Sequence, residues 1–439
     1  MEIHPDQIEV FDTNPEWKNA WELIHNQNSS VNLCGKAGTG KSTFLRAIGQ
    51  YSSKKAIFTA PTGIAALNIR GVTLHSFFGL PFGPLLMDDP RMLRHVVSPK
   101  KKKIIEKMEL LVIDEISMVR ADILDAIDSI LKKTCRNALP FGGKQLLLVG
   151  DNFQLEPVVR NDELAILNLH YEHAYYFASK AFYTAQCQVV ELKIIYRQTD
   201  SYFISLLNKV RIGGVNVSDL DELNSRMLAA TAISANDQSF SIILATRTSI
   251  VASENLLRLA SLKSEQYNFK ATIEGKYNNN TLPTDEILSL KVDAQIIMVR
   301  NDANKRWVNG SLGKIVDIKE SVLSVLLESG KTVKVEREKW DQIEYVYDSK
   351  TGAITENVLG SFTQYPLKLA WAITIHKSQG LTFNRVILNM EGGAFAAGQL
   401  YVALSRCRTF EGLTLLHRIK PTDVIVKREA LEFAGLGKY

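Results

Sequence analysis

The chain has 439 residues, 46% of them hydrophobic, enough for two to four domains with ordinary buried cores. No apolar run approaches the ~18–20 residues of a membrane-spanning helix, and the polar start Met1-Glu2-Ile3-His4-Pro5-Asp6 has no charged-then-apolar secretory signal. A net charge of +5 is too mild to name a partner, and Cys34, Cys135, Cys187 and Cys407 form no Cys-x-x-Cys pair, which argues against zinc clusters and a disulfide framework.

In chain order, Val31-Asn32-Leu33-Cys34 reads as a strand and Phe44 to Ile48 as a helix, with Gly35-Lys36-Ala37-Gly38-Thr39-Gly40-Lys41-Ser42 between them. The glycines at 35, 38 and 40 let the backbone curl so that successive N–H groups face phosphate oxygens. Lys41 is placed to reach the β- and γ-phosphates and Ser42 to ligate Mg²⁺. Gly35, Ala37, Gly38, Thr39, Gly40, Lys41, Ser42 and Thr43 are therefore the expected nucleotide contacts.

Further short apolar runs, Ala56–Thr59, Leu110–Ile113 and Leu146–Val149, alternate with helical stretches, as in a parallel sheet wrapped by helices. A Pro-rich insert with a basic end, about Gly79 to Lys103, interrupts this first lobe, taken as 1–185. A second set of strands is expected at Val189–Leu192, Ile242–Ala245, Leu367–Ala370, Val386–Leu388 and Leu413–Leu416, giving a second lobe of 186–262 and 361–439. Between its halves, 263–360 holds β-like runs at 295–299, 313–318 and 331–335 separated by Asn-Gly and Ser-Gly turns, the texture of a small antiparallel domain. The fold class is thus α/β with two parallel-sheet lobes and two inserts.

Asp114-Glu115 follows the apolar run ending at Ile113, which puts two carboxylates at the C-terminal edge where α/β proteins bind ligands. Asp114 suits Mg²⁺ and Glu115 the orientation or deprotonation of an attacking water. Gln154, in Gly150-Asp151-Asn152-Phe153-Gln154, leaves the sheet on the same edge and suits a γ-phosphate sensor. Hydrolysis spreads charge over the phosphoryl oxygens, so cations from a second body help, and Arg197 and Arg406 are the candidates. From Ser361 onward ten Lys and Arg face five Asp and Glu, and Lys100 to Lys103 form a second basic cluster.

These motifs, with Ala60-Pro61-Thr62-Gly63-Ile64-Ala65-Ala66, Thr73-Leu74-His75-Ser76-Phe77, Pro140-Phe141-Gly142-Gly143, Ile375-His376-Lys377-Ser378-Gln379-Gly380 and Tyr401 to Arg406, resemble the Pif-one helicase family in order and spacing over nearly the whole chain. The stretch from Asp114-Glu115 through Pro140–Gly143 to Gly150-Asp151 is similar to that family's signature in particular; RecD-like and phage Dda-type helicases share the framework more loosely.

The resemblance implies a B-type helicase of superfamily one, with ATP between two RecA-like lobes, an SH3-like β insert in the second, and movement 5′ to 3′ on single-stranded DNA. It implies ATPase roles for Lys41, Ser42, Asp114, Glu115, Gln154, Arg197, Gln379 and Arg406, and DNA contacts for Pro61, Thr62, His75, His376, Lys377 and Ser378. Phe78 and Phe82, in the Pro-rich insert, match the position of a strand-separating wedge. Gln7 is the candidate adenine reader, although the aromatic pair Trp17 and Trp21 intervenes, and Asn152 and Glu156 depart from the family pattern. ATP and Mg²⁺ are the expected cofactors. Single-stranded, forked and partial-duplex DNA are the expected partners, with G-quadruplexes and DNA–RNA hybrids also admitted, no membrane, and a working monomer. Repair, recombination and telomere maintenance all suit the family. The chain's ends favour a bacterial or phage-like cytoplasm. An RNA helicase, a protein-stripping translocase and a nucleotide-gated binding switch are the rival readings.

Overall fold

The computed structural model describes residues 14–86, 89–227, 240–277, 282–319, 321–347 and 354–436. The chain divides into two compact units: Met1–Tyr196 with Glu344–Asn357 and Lys427–Tyr439, and Arg197–Ile343 with Val358–Val426.

The first unit begins with α1 (Pro15–His25), β1 (Val31–Gly35), α2 (Lys41–Tyr51), β2 (Ala56–Ala60), α3 (Gly63–Asn68), β3 (Val72–Thr73) and α4 (Leu74–Phe78). It continues through α5 (Pro90–Leu93), α6 (Pro99–Lys107), β4 (Leu110–Ile113), α7 (Ala121–Cys135), β5 (Gln145–Gly150), α8 (Asn161–Leu167), α9 (Lys180–Ala185) and β6 (Gln188–Leu192). Its sheet runs β3-β2-β4-β5-β1-β6, and every pairing is parallel. β4 and β5 are buried at every position, as central strands covered on both faces must be. Trp17, Ala20, Trp21 and Ile24 of α1 and Phe44, Leu45 and Ile48 of α2 pack against Val31, Leu33, Val112, Leu147 and Val149 of the sheet. Because β5 lies between β1 and β4, the loops leaving these three strands open on one edge.

The strand at Val189–Leu192 belongs here and not to the second sheet, contrary to the sequence expectation. Gln188 pairs with Val31 and Leu192 with Gly35. The exposed and buried pattern of β6 is that of an edge strand with one covered face, and periodicity alone does not say which sheet that face meets.

The family-signature turn Pro140–Gly143 has a local physical reason. Phe141, Gly142 and Gly143 all have positive φ, and a Cβ on Gly142 would stand 2.6 Å from the Leu131 carbonyl oxygen. The Phe141 N–H donates to Asp128 Oδ1 at 2.6 Å, and its ring is fully buried. Asp125, one turn earlier on α7, accepts from the Tyr171 hydroxyl and the Ala181 N–H. The signature thus fastens α7 to the start of β5 and to α9.

In the second unit, α10 (Ser201–Ile212) and α11 (Val217–Asn224) precede β7 (Ile242–Ala245) and α12 (Thr248–Ser261). Then come β8 (Gln266–Lys270), β9 (Thr272–Gly275), β10 (Ile287–Lys291), β11 (Gln295–Met298), β12 (Leu312–Ile318), β13 (Leu323–Leu327), β14 (Thr332–Val335), β15 (Glu338–Tyr347), β16 (Ile354–Gln364) and β17 (Leu367–Leu369), the parts of β15 and β16 within 344–357 belonging to the first unit. The unit's remaining elements are β18 (Ala372–Thr374), β19 (Val386–Asn389), α13 (Gln399–Leu404) and β20 (Leu413–Leu415), while α14 (Arg428–Phe433) belongs to the first unit. A parallel sheet, β18-β7-β19-β20, and an antiparallel one, β14-β13-β12-β11-β17, lie side by side in sequence. Leu367–Leu369, expected in the parallel sheet, instead pairs antiparallel with β11 through Leu369 and Ile296.

Candidate active site

Gly35 ends β1, and the loop after it returns to Lys41 at the start of α2. Gly40 has φ +87°, and a Cβ there would lie 2.4 Å from the Trp17 ring, so both the backbone and the neighbour require glycine. Lys41 Nζ donates to the Gly35 and Lys36 carbonyls, keeping the cation inside the loop. Ser42 is exposed and Thr39 fully buried.

Asp114 and Glu115 follow β4 on the same edge. Burial first, then the charge of Glu115, pushes the Asp114 carboxyl up to about 7, against the opposing pull of the Glu115 N–H and Lys41. Glu115 takes φ 49°, ψ 45°, a left-handed conformation that a non-glycine residue adopts at some cost. A buried Asp114 carboxylate beside Glu115, on the edge that carries the Ser42 hydroxyl, fits a hard cation with oxygen ligands such as Mg²⁺. Gln154 is buried and donates through Nε2 to Asp151 Oδ2 at 3.3 Å, which aims its amide from a fixed turn.

Gln7 lies outside the described residues. An aromatic shelf beside the loop was missed in the sequence. The Tyr196 N–H donates to the Gly38 carbonyl at 2.8 Å, its hydroxyl accepts from Asn14 Nδ2 at 3.1 Å, and its ring, 48% exposed, stands 5.9 Å from Trp17. The signal was the aromatic residue directly before Arg197.

In the second unit, Arg197, Gln379 and Arg406 come together. Arg197 Nη1 donates to the Ser405 carbonyl at 3.1 Å and Nη2 to the Gly380 carbonyl at 3.4 Å. Arg406, a candidate cation for hydrolysis, is 1% exposed and donates to the Val402, Ser378 and Leu381 carbonyls and to Ser405 Oγ. Gln379 Nε2 is buried without a hydrogen-bond partner among the described residues, a donor of the kind a ligand acceptor satisfies. Gln198, also unremarked in the sequence, bridges the Ser405 and Cys407 carbonyls.

The expected DNA contacts divide. Pro61 and Thr62 are half-buried at the start of α3, where Thr62 Oγ1 caps the helix by accepting from the Ala65 N–H. His75 stacks on Phe82, with ring centroids 5.5 Å apart and planes at 17°. His376 lies near-parallel to Phe395, at 6.3 Å and 18°, and Lys377 is exposed. Burial lowers the pKa of both histidines. Two contacts are corrected. Phe78 is 1% exposed and packs edge-on against Phe77, so the outward ring of the insert is Phe82, 84% exposed. Ser378 is fully buried, with its hydroxyl donating to the Ile375 carbonyl. Phe395, 57% exposed, was not anticipated.

The PIF1-like helicase family model matches residues 5–221, and a UvrD-like helicase C-terminal domain model matches residues 369–410. ATP-dependent DNA helicase PIF1 of Danio rerio is 35% identical over 421 residues, which cover 92% of this chain and 61% of that protein. The chain therefore spans about three-fifths of the length of such vertebrate relatives. ATP-dependent DNA helicase Pif1 of Bdellovibrio bacteriovorus is 29% identical, with 97% of this chain and 92% of that protein covered. Among solved structures, Bacteroides sp Pif1 in complex with ADP-AlF4 is 39% identical with TM-score 0.89, covering 96% of each chain. Bacteroides Pif1 bound to ssDNA is 40% identical with TM-score 0.69, covering 96% of each. With the phosphate loop, the paired carboxylates and the signature turn all in place, this chain belongs to the PIF1-like helicase family.

Proposed function

We propose that the protein is an ATP-dependent DNA helicase that moves 5′ to 3′ on single-stranded DNA and opens forks and partial duplexes, working as a monomer. The observation that carries this reading is the shared sheet edge of the Gly35–Ser42 loop, Asp114-Glu115 and Gln154. The relatives with bound ADP-AlF4 and ssDNA support it.

In hydrolysis a water attacks the γ-phosphorus, the bond to the β–γ bridging oxygen breaks, and the water's proton passes to Glu115. Lys41 stabilises the charge that develops on the phosphoryl oxygens, and Arg197 is the second unit's candidate for the same role. Arg406 holds the 378–381 turn through its carbonyls, and so positions Gln379. Ser42 and Asp114 would hold Mg²⁺, which neutralises phosphate charge. Tyr196 offers the adenine a ring face beside the hydrogen-bonding reader proposed at Gln7. We assign the antiparallel strands between β8 and β17 to the family's SH3-like insert.

The stacked pair His75 and Phe82 in the first unit, and the pair His376 and Phe395 with the exposed Lys377 in the second, are faces and a cation of the kind that grips any base sequence. Contacts of this sequence-tolerant kind also admit quadruplexes and DNA–RNA hybrids as obstacles ahead of the motor. No helix among the described residues is long and apolar enough to cross a membrane; the bacterial relative supports a cytoplasmic site of action.

The test compares ATP turnover with no strand, with a DNA oligonucleotide and with its RNA counterpart, for the native chain and for Lys41→Ala and Glu115→Gln. Strong stimulation by DNA, weaker by RNA, and loss in both variants is expected. Turnover indifferent to any strand would contradict the proposal.

A further inference from the structure

The exposed Phe82 sits on a loop whose backbone is held at four successive residues. Arg91 Nη1 donates to the Phe82 carbonyl at 2.9 Å and Arg91 Nη2 to the Pro84 carbonyl at 2.7 Å. Arg120 Nη2 donates to the Gly83 carbonyl at 2.7 Å, and Asp122 Oδ2 accepts from the Leu85 N–H at 2.8 Å. These four backbone groups are not left to water. Here each is taken by a side chain anchored elsewhere.

The anchors are built to hold. Asp122 is fully buried and pairs with Arg120 through both oxygens, at 2.9 and 2.7 Å. Arg120, 8% exposed, also donates to Glu163 Oε2 at 3.0 Å, and Glu163 is held in turn by Arg160. A guanidinium with this fork of fixed acceptors has one available pose. Arg91 is braced against Asp89, whose carboxyl it holds below the usual range.

Position in the chain gives the clamp its meaning. Arg120 lies five residues after Glu115, across the single turn Ile116–Met118, and directly precedes α7. One short, largely buried segment thus links the Asp114-Glu115 turn to the side chain that holds the Gly83 carbonyl.

We infer that Arg120 and Arg91 are positioning residues that hold the Phe82 loop in a fixed pose and tie it to the carboxylate turn, so that nucleotide chemistry and strand separation stay in step. The inference rests on the helicase reading above. A rigid loop meets the last base pair of a fork without first losing conformational entropy, whereas a slack one yields to the duplex.

The experiment measures fork unwinding and single-strand-stimulated ATP turnover for the native chain, Arg91→Ala, Arg120→Lys and Arg120→Ala. Melting temperature serves as the folding control. Arg91 is a surface side chain, so Arg91→Ala remains informative if the Arg120 variants fail to fold. The expected result is at least a fivefold fall in base pairs opened per ATP consumed for Arg91→Ala and Arg120→Ala, with turnover on single strands within twofold of native. Arg120→Lys should recover part of the loss, since it keeps the charge without the fork. Unwinding and turnover falling together in Arg91→Ala, or unwinding unchanged in folded variants, would overturn the inference. Failure of the native chain to open the fork at all would instead overturn the helicase reading.

Discussion

Arg197 and Arg406 are both bound to Ser405: Arg197 Nη1 donates to its carbonyl oxygen at 3.1 Å, and Arg406 Nη2 donates to its hydroxyl at 2.8 Å. One guanidinium is half-buried and the other almost wholly buried, so two arginines from distant motifs share an anchor yet face different surroundings.

That difference separates their variants. Arg197→Ala should lower single-strand-stimulated turnover by about a thousandfold, the scale of a lost hydrolysis arginine, while thermal stability changes little. Arg406→Ala should lower the melting temperature, because each carbonyl left unpaired in the interior costs about 1–3 kcal/mol. Calorimetry beside ATPase assays reads both; equal melting shifts would argue against the division of roles.

Gly40→Ala should abolish nucleotide binding in a folded protein. The substitution places a Cβ on a backbone at φ +87° and against Trp17, at a cost of about 1–2 kcal/mol for the left-handed conformation alone. Adding Trp17→Ala should restore part of the affinity for a fluorescent ATP analogue, since it removes the collision though not the strain. A double variant no better than the single one would point to strain as the whole effect.

His75 and His376 should both make the fold acid-sensitive. Burial lowers the pKa of His75, with the Arg120 charge adding to it and Asp122 opposing, and burial alone lowers that of His376. The native state then resists protons that the unfolded chain accepts near its ordinary value of about 6.5. Above that pH neither state is charged and no penalty exists. As pH falls through it stability drops, levelling off only below the native values. Melting temperatures followed from about pH 8 to about pH 5 should fall less steeply for His75→Gln than for the native chain.

The basic helix α6 lies against the turn that carries His75: Lys101 Nζ donates to the Ser76 carbonyl, while Ile104 and Ile105 face inward. Replacing Lys100, Lys102 and Lys103 with glutamine should flatten the salt dependence of fork binding by about 0.7–0.9 in log–log slope for each lysine that meets a phosphate. An unchanged slope would mean a merely solvated face.

Much of the site could be read before the fold because phosphate chemistry leaves little choice of residue. A loop that wraps a triphosphate needs Gly40 where it stands, and a strand ending in Asp114-Glu115 beside it has few other uses. Less legible was which sheet a strand would join, as Val189–Leu192 and Leu367–Leu369 illustrate. Their local patterns specify a strand and a covered face, but the partner is chosen by contacts far away in sequence. Phe78 and Phe82 look alike in composition, and only packing decides that one fills the interior and the other faces out. Arg120 reads as a surface residue until its carboxylate partners, one of them 43 positions away, are brought against it.

The most direct measurement is strand displacement from partial duplexes carrying either a 5′ or a 3′ single-stranded tail, with ATP supplied and withheld. Displacement of the 5′-tailed duplex alone, dependent on ATP and lost in Lys41→Ala, is the expected result. Displacement without ATP, equal use of both tails, or activity retained in Lys41→Ala would contradict a directional motor driven from the Gly35–Ser42 loop.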